Sequence, residues 1–263
     1  MKKPSPAYIR ENYPIVKIRF FQSGLEVVRQ SGNGKKRPRG RRNYITHLSQ
    51  SSLHRLAFSA RNSRIAFESM LTLTCGLIYP RDGIIFKGCL NRILSSMRYR
   101  WPKIQYLWFL EFQTRGAPHI HLLLNIPVGE EKDKKWVAER WSKAVLSGAC
   151  KLRGYDAEEL LLAEGKMRRQ HQRKGVWEKI RDQNGVAKYV TKYATKTEQK
   201  TVPKAFARVG SFWGMSKGAK PKHLFTNLTT EEELRIHLEK RQHPVAEYGV
   251  LPKLIWYYEE KAN

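Results

Sequence analysis

The chain has 263 residues, in which 50 Lys and Arg face 23 Asp and Glu, a formal charge of +27. That length suits one large domain or one domain with extensions, and 41% hydrophobic with 11% aromatic residues supplies a core, which excludes a fully disordered chain. So large a positive excess repels itself and is expected beside a polyanion, nucleic acid rather than a membrane, because no run of 18 apolar residues and no signal peptide is found.

In chain order, residues 15 to 28 suggest a short strand pair, and residues 29 to 43, RQSGNGKKRPRGRRN, a basic arm. Gly32, Gly34, Pro38 and Gly40 oppose regular structure there. Lys35, Lys36, Arg37, Arg39, Arg41 and Arg42 repel one another unless phosphates lie between them, so the arm is expected to contact a nucleic-acid backbone. Residues 67 to 74, FESMLTLT, partly alternate and predict a strand. From Ile84 to Tyr99, Phe86, Leu90, Ile93, Leu94 and Met97 recur at helical spacing. Two strands follow near 105 to 113 and 118 to 126. A helix over 131 to 147 carries Val137, Trp141, Ala144 and Val145 on one face. Residues 150 to 175 show no single pattern and end in the basic run RRQHQRK. A short strand near 176 to 181 and a helix near 184 to 197 come next. The tail predicts a helix near 230 to 241, with Thr230 and Glu233 spaced as a capping box, and a strand near 253 to 258. Three cysteines (Cys75, Cys89, Cys150) without CxxC spacing read as reduced thiols in a reducing compartment, not as a zinc site. The element order implies an α+β fold with an antiparallel sheet.

The segment YLWFLEFQTRGAPHIHLLLNIP, residues 106 to 127, is the most informative. Thr114-Arg115-Gly116 suits a three-residue hairpin loop with a left-handed glycine. Gln113 then closes the loop opposite Ala117, so Glu111 faces His119 and Phe109 faces His121. By parity Tyr106, Trp108, Leu110, Phe112, Ile120, Leu122 and Leu124 form one apolar face, and Glu111, His119 and His121 share the other. Two imidazoles and one carboxylate can hold a divalent ion, Mg²⁺ or Mn²⁺, leaving positions for water and a substrate phosphate. The same donor set occurs in non-haem Fe(II) oxygenases, a chemistry that the charge of +27 disfavours.

Residues 186 to 196, VAKYVTKYATK, place Tyr189 and Tyr193 about 40° apart on one face of a helix. Val186, Val190 and Ala194 lie on one side, and Lys188, Lys192 and Lys196 on the other. A phenol has an unperturbed pKa near 10, so attack on phosphorus needs a cation and lysines to stabilise the developing charge. The product would be a phosphotyrosine ester.

Two motifs carry a family resemblance. EFQTRGAPHIHLLL resembles the His-hydrophobic-His motif of HUH-type rolling-circle replication initiators, in the version of filamentous-phage and microvirus replication-associated proteins and their plasmid relatives. KYVTKYATK resembles their paired-tyrosine motif, and MLTLTC over 70 to 75 resembles the strand that opens their core. The resemblance implies an endonuclease domain over residues 61 to 218, with a five-stranded antiparallel sheet of ferredoxin-like topology flanked by helices. Residues 1 to 60 would be a basic N-terminal segment and 219 to 263 a C-terminal extension. It further implies His119, His121 and Glu111 as metal ligands, with Tyr189 and Tyr193 as nucleophiles, Tyr189 the indispensable one. Lys192 and Lys196 each follow a nucleophile by three positions. The family nicks single-stranded DNA at an origin, keeps the 5′ phosphate on tyrosine and later rejoins the strand. Arg115 and Lys188 would contact DNA, and Trp213 in GSFWGMSKG would stack on a base or cap the core. No Walker A pattern is present, so a host helicase, with a host polymerase, is the expected partner in the cytoplasm of a bacterial cell. A rolling-circle or tyrosine transposase would share the same site, and a non-catalytic basic nucleic-acid-binding protein would share only the charge.

Overall fold

A computed structural model describes residues 15–29, 47–181, 186, 190, 202–240 and 253–256. The chain divides into two units, residues 42–220 and residues 1–41 together with 221–263. Across the described residues the fold is α+β, with five helices and two antiparallel sheets of five and four strands.

In the unit spanning 42–220, β3 (Ser69–Thr74), β4 (Tyr106–Phe112), β5 (Pro118–Leu124), β6 (Trp177–Lys179) and β7 (Trp213–Met215) pair in the order β6-β3-β5-β4-β7. Both faces of this sheet are covered, which explains why PHIHLLL and YLWFLEF are nearly continuous apolar runs. On one face Leu71, Leu73, Leu110, Phe112, Ile120 and Leu122 join one core with Phe86, Leu90, Ile93 and Met97 of α2 (Gly83–Arg100). Val137, Trp141 and Val145 of α3 (Glu131–Cys150) complete it. Trp141 is fully buried and meets Phe86 edge-on at 6.2 Å, a packing mode worth about 0.5–1.5 kcal/mol beyond the buried area. On the other face Met70, Leu107, Phe109 and Leu123 cluster with Leu56 and Ala60 of α1 (Gln50–Arg61), and with Phe67, Val186 and Val190.

The helices begin where side chains satisfy their free N–H groups. Asp82 Oδ1 accepts from the backbone N–H of Ile84 and Ile85 at 2.9 and 2.8 Å, which starts α2. Residues 150 to 175, unpatterned in sequence, contain α4 (Ala157–His171), capped by Asp156. Only Met167 and His171 of α4 are buried, and Leu161 and Leu162 are exposed, so no apolar stripe marks it. Helix α1 is likewise absent from the sequence-based expectations.

In the other unit, β1 (Ile15–Phe21), β2 (Gly24–Arg29), β8 (Phe225–Thr230) and β9 (Leu254–Trp256) pair in the order β8-β1-β2-β9. Val16, Ile18, Leu25, Val27 and Ile255 pack with Leu234 and Leu238 of α5 (Glu231–Lys240). The expected capping box is present: Glu233 N–H donates to Thr230 Oγ1, and Thr230 N–H to Glu233 Oε2, both at 3.1 Å. The segments expected as an N-terminal arm and a C-terminal extension therefore contribute strands to a shared sheet, whereas α1 belongs to the 42–220 unit. No helix among the described residues is long and apolar enough to cross a membrane.

Candidate active site

The hairpin β4–β5 has the register that its loop chemistry dictates. Gln113 N–H donates to the Ala117 carbonyl at 2.9 Å, and Gly116 takes a φ of 77°, a left-handed conformation that favours glycine. Glu111 then faces His119 and Phe109 faces His121. His121 Nε2 lies 3.4 Å from Glu111 Oε2. The rings of His119 and His121 meet edge-on with centroids 4.7 Å apart, and Phe109 stacks on His121 at 4.9 Å. Glu111 and His121 are buried, and His119 is half-buried.

Strand β3 supplies a second layer. It pairs with β5 so that Thr72 faces His121 and Thr74 faces His119. Their hydroxyls lie 3.3 Å from His121 Nδ1 and 3.0 Å from His119 Nδ1. Sequence reading missed both threonines, although their i, i+2 spacing in LTLTC repeats that of the histidines. Burial pushes the His119 imidazole down to about 3, with further lowering from His121, His171 and Arg115, so near neutral pH the ring is uncharged and keeps a lone pair.

The donor chemistry suits a divalent ion. Two donors each about 2.1 Å from one ion stand about 3.0–3.4 Å apart for angles between 90° and 109°, and the Glu111–His121 separation of 3.4 Å falls in that range. Glu111 Oε1 is buried without a hydrogen-bond partner among the described residues. His119 stands alongside, but no three His, Cys, Asp or Glu side chains among the described residues converge as a finished metal cage. The fit is thus set for two donors, with a third adjacent.

The other residues singled out from sequence fall in different situations. Arg115 Nε donates to Gln113 Oε1 at 3.0 Å and its NH1 to the Gly76 carbonyl at 2.8 Å, while its NH2 donates to the Cys75 carbonyl. These bonds fasten the hairpin loop to the segment that follows β3. Trp213 sits in the edge strand β7, half-buried against both cores, and its Nε1–H donates to Ser52 Oγ at 3.1 Å. Tyr189, Tyr193, Lys188, Lys192 and Lys196 lie outside the described residues, as do Lys35, Lys36, Arg37, Arg39, Arg41 and Arg42. From the predicted tyrosine helix, Val186 and Val190 are described. Both are helical and buried, in the cluster with Phe109 and Leu123. By strand parity that is the sheet face bearing Glu111, His119 and His121.

Comparison with known proteins adds three findings. No curated protein matches the chain. Among solved structures, the N-terminal nuclease domain of minute virus of mice non-structural protein-1 is similar, at 10% sequence identity and a TM-score of 0.30 over 85% of this chain and 88% of that one. That domain has a Zn²⁺ coordinated in its active site pocket and recognises DNA at the origin of replication. Residues 68–198, which run from the residue before β3 through the hairpin to the paired-tyrosine segment, match the family of replication-associated proteins of the ORF2 type.

Proposed function

We propose that the protein is an HUH-type rolling-circle replication initiator, which nicks single-stranded origin DNA through a tyrosine and later rejoins it. One observation carries this reading. Glu111, His119 and His121 share a sheet face, and Val186 and Val190, which flank Tyr189 in sequence, are buried in the cluster on that face. The match to replication-associated proteins over residues 68–198 supports it, as does the net charge. The five-stranded core is read as ferredoxin-like.

Glu111, His119 and His121 would hold a divalent cation, Mg²⁺ or Mn²⁺. When bound, it would draw electron density from the scissile phosphate. The Tyr189 oxygen attacks phosphorus, a Tyr–O–P bond forms, the P–O3′ bond breaks, and the phenol proton leaves to solvent. One phosphoester replaces another, so the step is reversible and the free 3′ hydroxyl can prime synthesis or reseal the strand. Tyr193 would perform the second cut, with Lys192 and Lys196 countering phosphate charge. Single-stranded origin DNA is the substrate. A host helicase and polymerase in a bacterial cytoplasm would complete replication.

The test is covalent capture. Incubation with a single-stranded origin oligonucleotide and Mn²⁺ should yield a protein–DNA adduct that Tyr189→Phe removes or sharply reduces and Tyr189→Phe/Tyr193→Phe abolishes. His119→Ala should lower cleavage by orders of magnitude while DNA binding persists. Tight, salt-sensitive binding without any adduct would instead mark a non-catalytic binding protein.

A further inference from the structure

Strand β3 loses its outer neighbour before it ends. Its pairing with β6 stops at Leu71 opposite Trp177, and the N–H of Thr72 reaches one residue further, to the Val176 carbonyl at 2.7 Å. Beyond that point Thr74 would present an open N–H and C=O on the outer edge. Two buried side chains take their place. Thr74 N–H donates to His171 Nε2 at 2.9 Å, and Trp141 Nε1–H donates to the Thr74 carbonyl at 2.9 Å. A backbone N–H can only donate, so His171 Nε2 is an acceptor and its ring proton sits on Nδ1, which donates to the Met167 carbonyl at 2.8 Å. Helices α3 and α4 thus each contribute one polar side chain to one residue, Thr74, whose own hydroxyl lies 3.0 Å from His119 Nδ1.

We infer that Thr74 is a positioning residue for the metal-ligand set, clamped through its backbone by His171 and Trp141 so that its hydroxyl accepts the His119 Nδ1 proton and leaves Nε2 as the donor to the cation. The inference rests on the metal reading of this face. A ligating imidazole usually has its other nitrogen hydrogen-bonded, which fixes both tautomer and ring plane. Thr72 stands in the same relation to His121 at 3.3 Å, so the two-residue spacing of the threonines serves the two-residue spacing of the histidines. If Thr74 merely completed the strand, the backbone clamp would suffice and a valine would serve as well, having the same branched shape.

The experiment uses the full chain without metal and then with Mn²⁺ alone. Two-bond ¹H–¹⁵N correlation spectra of the metal-free protein near neutral pH should show the His119 ring proton on Nδ1. A proton on Nε2 would mean that the threonine donates instead, and would overturn the inference. Thr74→Val should weaken Mn²⁺ binding about 10- to 100-fold by calorimetry, the range found when a partner of a metal ligand is lost. Thr74→Ser, which keeps the hydroxyl, should bind as the parent does. Equal Mn²⁺ affinity in Thr74→Val and the parent would also overturn it. If the parent binds no Mn²⁺, the metal reading fails, while the tautomer spectrum still decides the role of Thr74. If Thr74→Val does not fold, the spectrum of the parent and Thr74→Ser remain decisive.

Discussion

At the scale of single residues, the site depends on histidines kept neutral. Burial pushes His119 down to about 3 and also lowers His171. Each is neutral in the folded chain across a range where an unfolded chain, with an imidazole near 6.5, takes up a proton. The unfolded state therefore binds more protons between about pH 6.5 and 3, and stability must fall as pH falls through that window. Above pH 6.5 both states are neutral and the term vanishes. For His171 the consequence is structural as well, because a proton on Nε2 would turn the acceptor for Thr74 N–H into a donor facing a donor. Melting temperature followed from pH 7.5 to 4 should be flat above about 6.5 and decline below it. A curve unchanged down to pH 4 would show that these rings are not held neutral. Arg115 illustrates the opposite case, a charge whose donors are already committed to Gln113, Cys75 and Gly76 within the protein.

Elements are specified by local signals of uneven strength. Helix α2 has both a clear apolar stripe and a clean start, and Asp82→Ala should cost about 1 kcal/mol because the N–H groups of Ile84 and Ile85 lose their shared acceptor. Urea denaturation measures this, and a change below about 0.3 kcal/mol would show that water replaces the carboxylate without loss. Where the signal was local, sequence was sufficient. The hairpin register followed from a glycine and a parity count, and the Thr230–Glu233 box from its spacing. Where burial was asymmetric or partners were distant, it was not. Helix α4 buries only Met167 and His171 and leaves leucines in solvent. Strand β8, FTNLTT, is mostly exposed and pairs with β1 some two hundred residues away, an association that no window of sequence contains. Strand β7 has three residues, too few for a period. The candidate site divides along the same line. Glu111, His119 and His121 were legible because a tight turn ties their strands together. Thr72 and Thr74 were not, because the register of β3 against β5 is set by the packed sheet and not by a turn.

At the scale of the whole molecule, charge and chemistry are separable. The proposed ligands occupy one sheet face of the 42–220 unit, whereas the excess of positive charge is spread along the chain, with its densest run at 35 to 42. Phosphate contacts supply affinity by releasing condensed counterions, and for a single strand log K falls with log salt at a slope of about −0.7 per phosphate neutralised. If Lys35, Lys36, Arg37, Arg39, Arg41 and Arg42 each neutralise one phosphate, replacing all six by glutamine should reduce the slope by about 4. Affinity at low salt should fall steeply, and the loss should shrink as salt rises, because screening removes the same contacts in the parent. Anisotropy titrations of a labelled single strand from about 50 to 300 mM salt measure both quantities. Mn²⁺ binding should not change in this variant, since none of the six is among the proposed ligands. An unchanged slope would remove the arm from the DNA interface, and the strand would then have to be held by basic residues of the folded units alone. A changed slope with lost Mn²⁺ binding would mean that arm and site are coupled. The expected pattern is a weaker, less salt-sensitive binder whose metal site, and whose adduct yield at saturating DNA, match those of the parent.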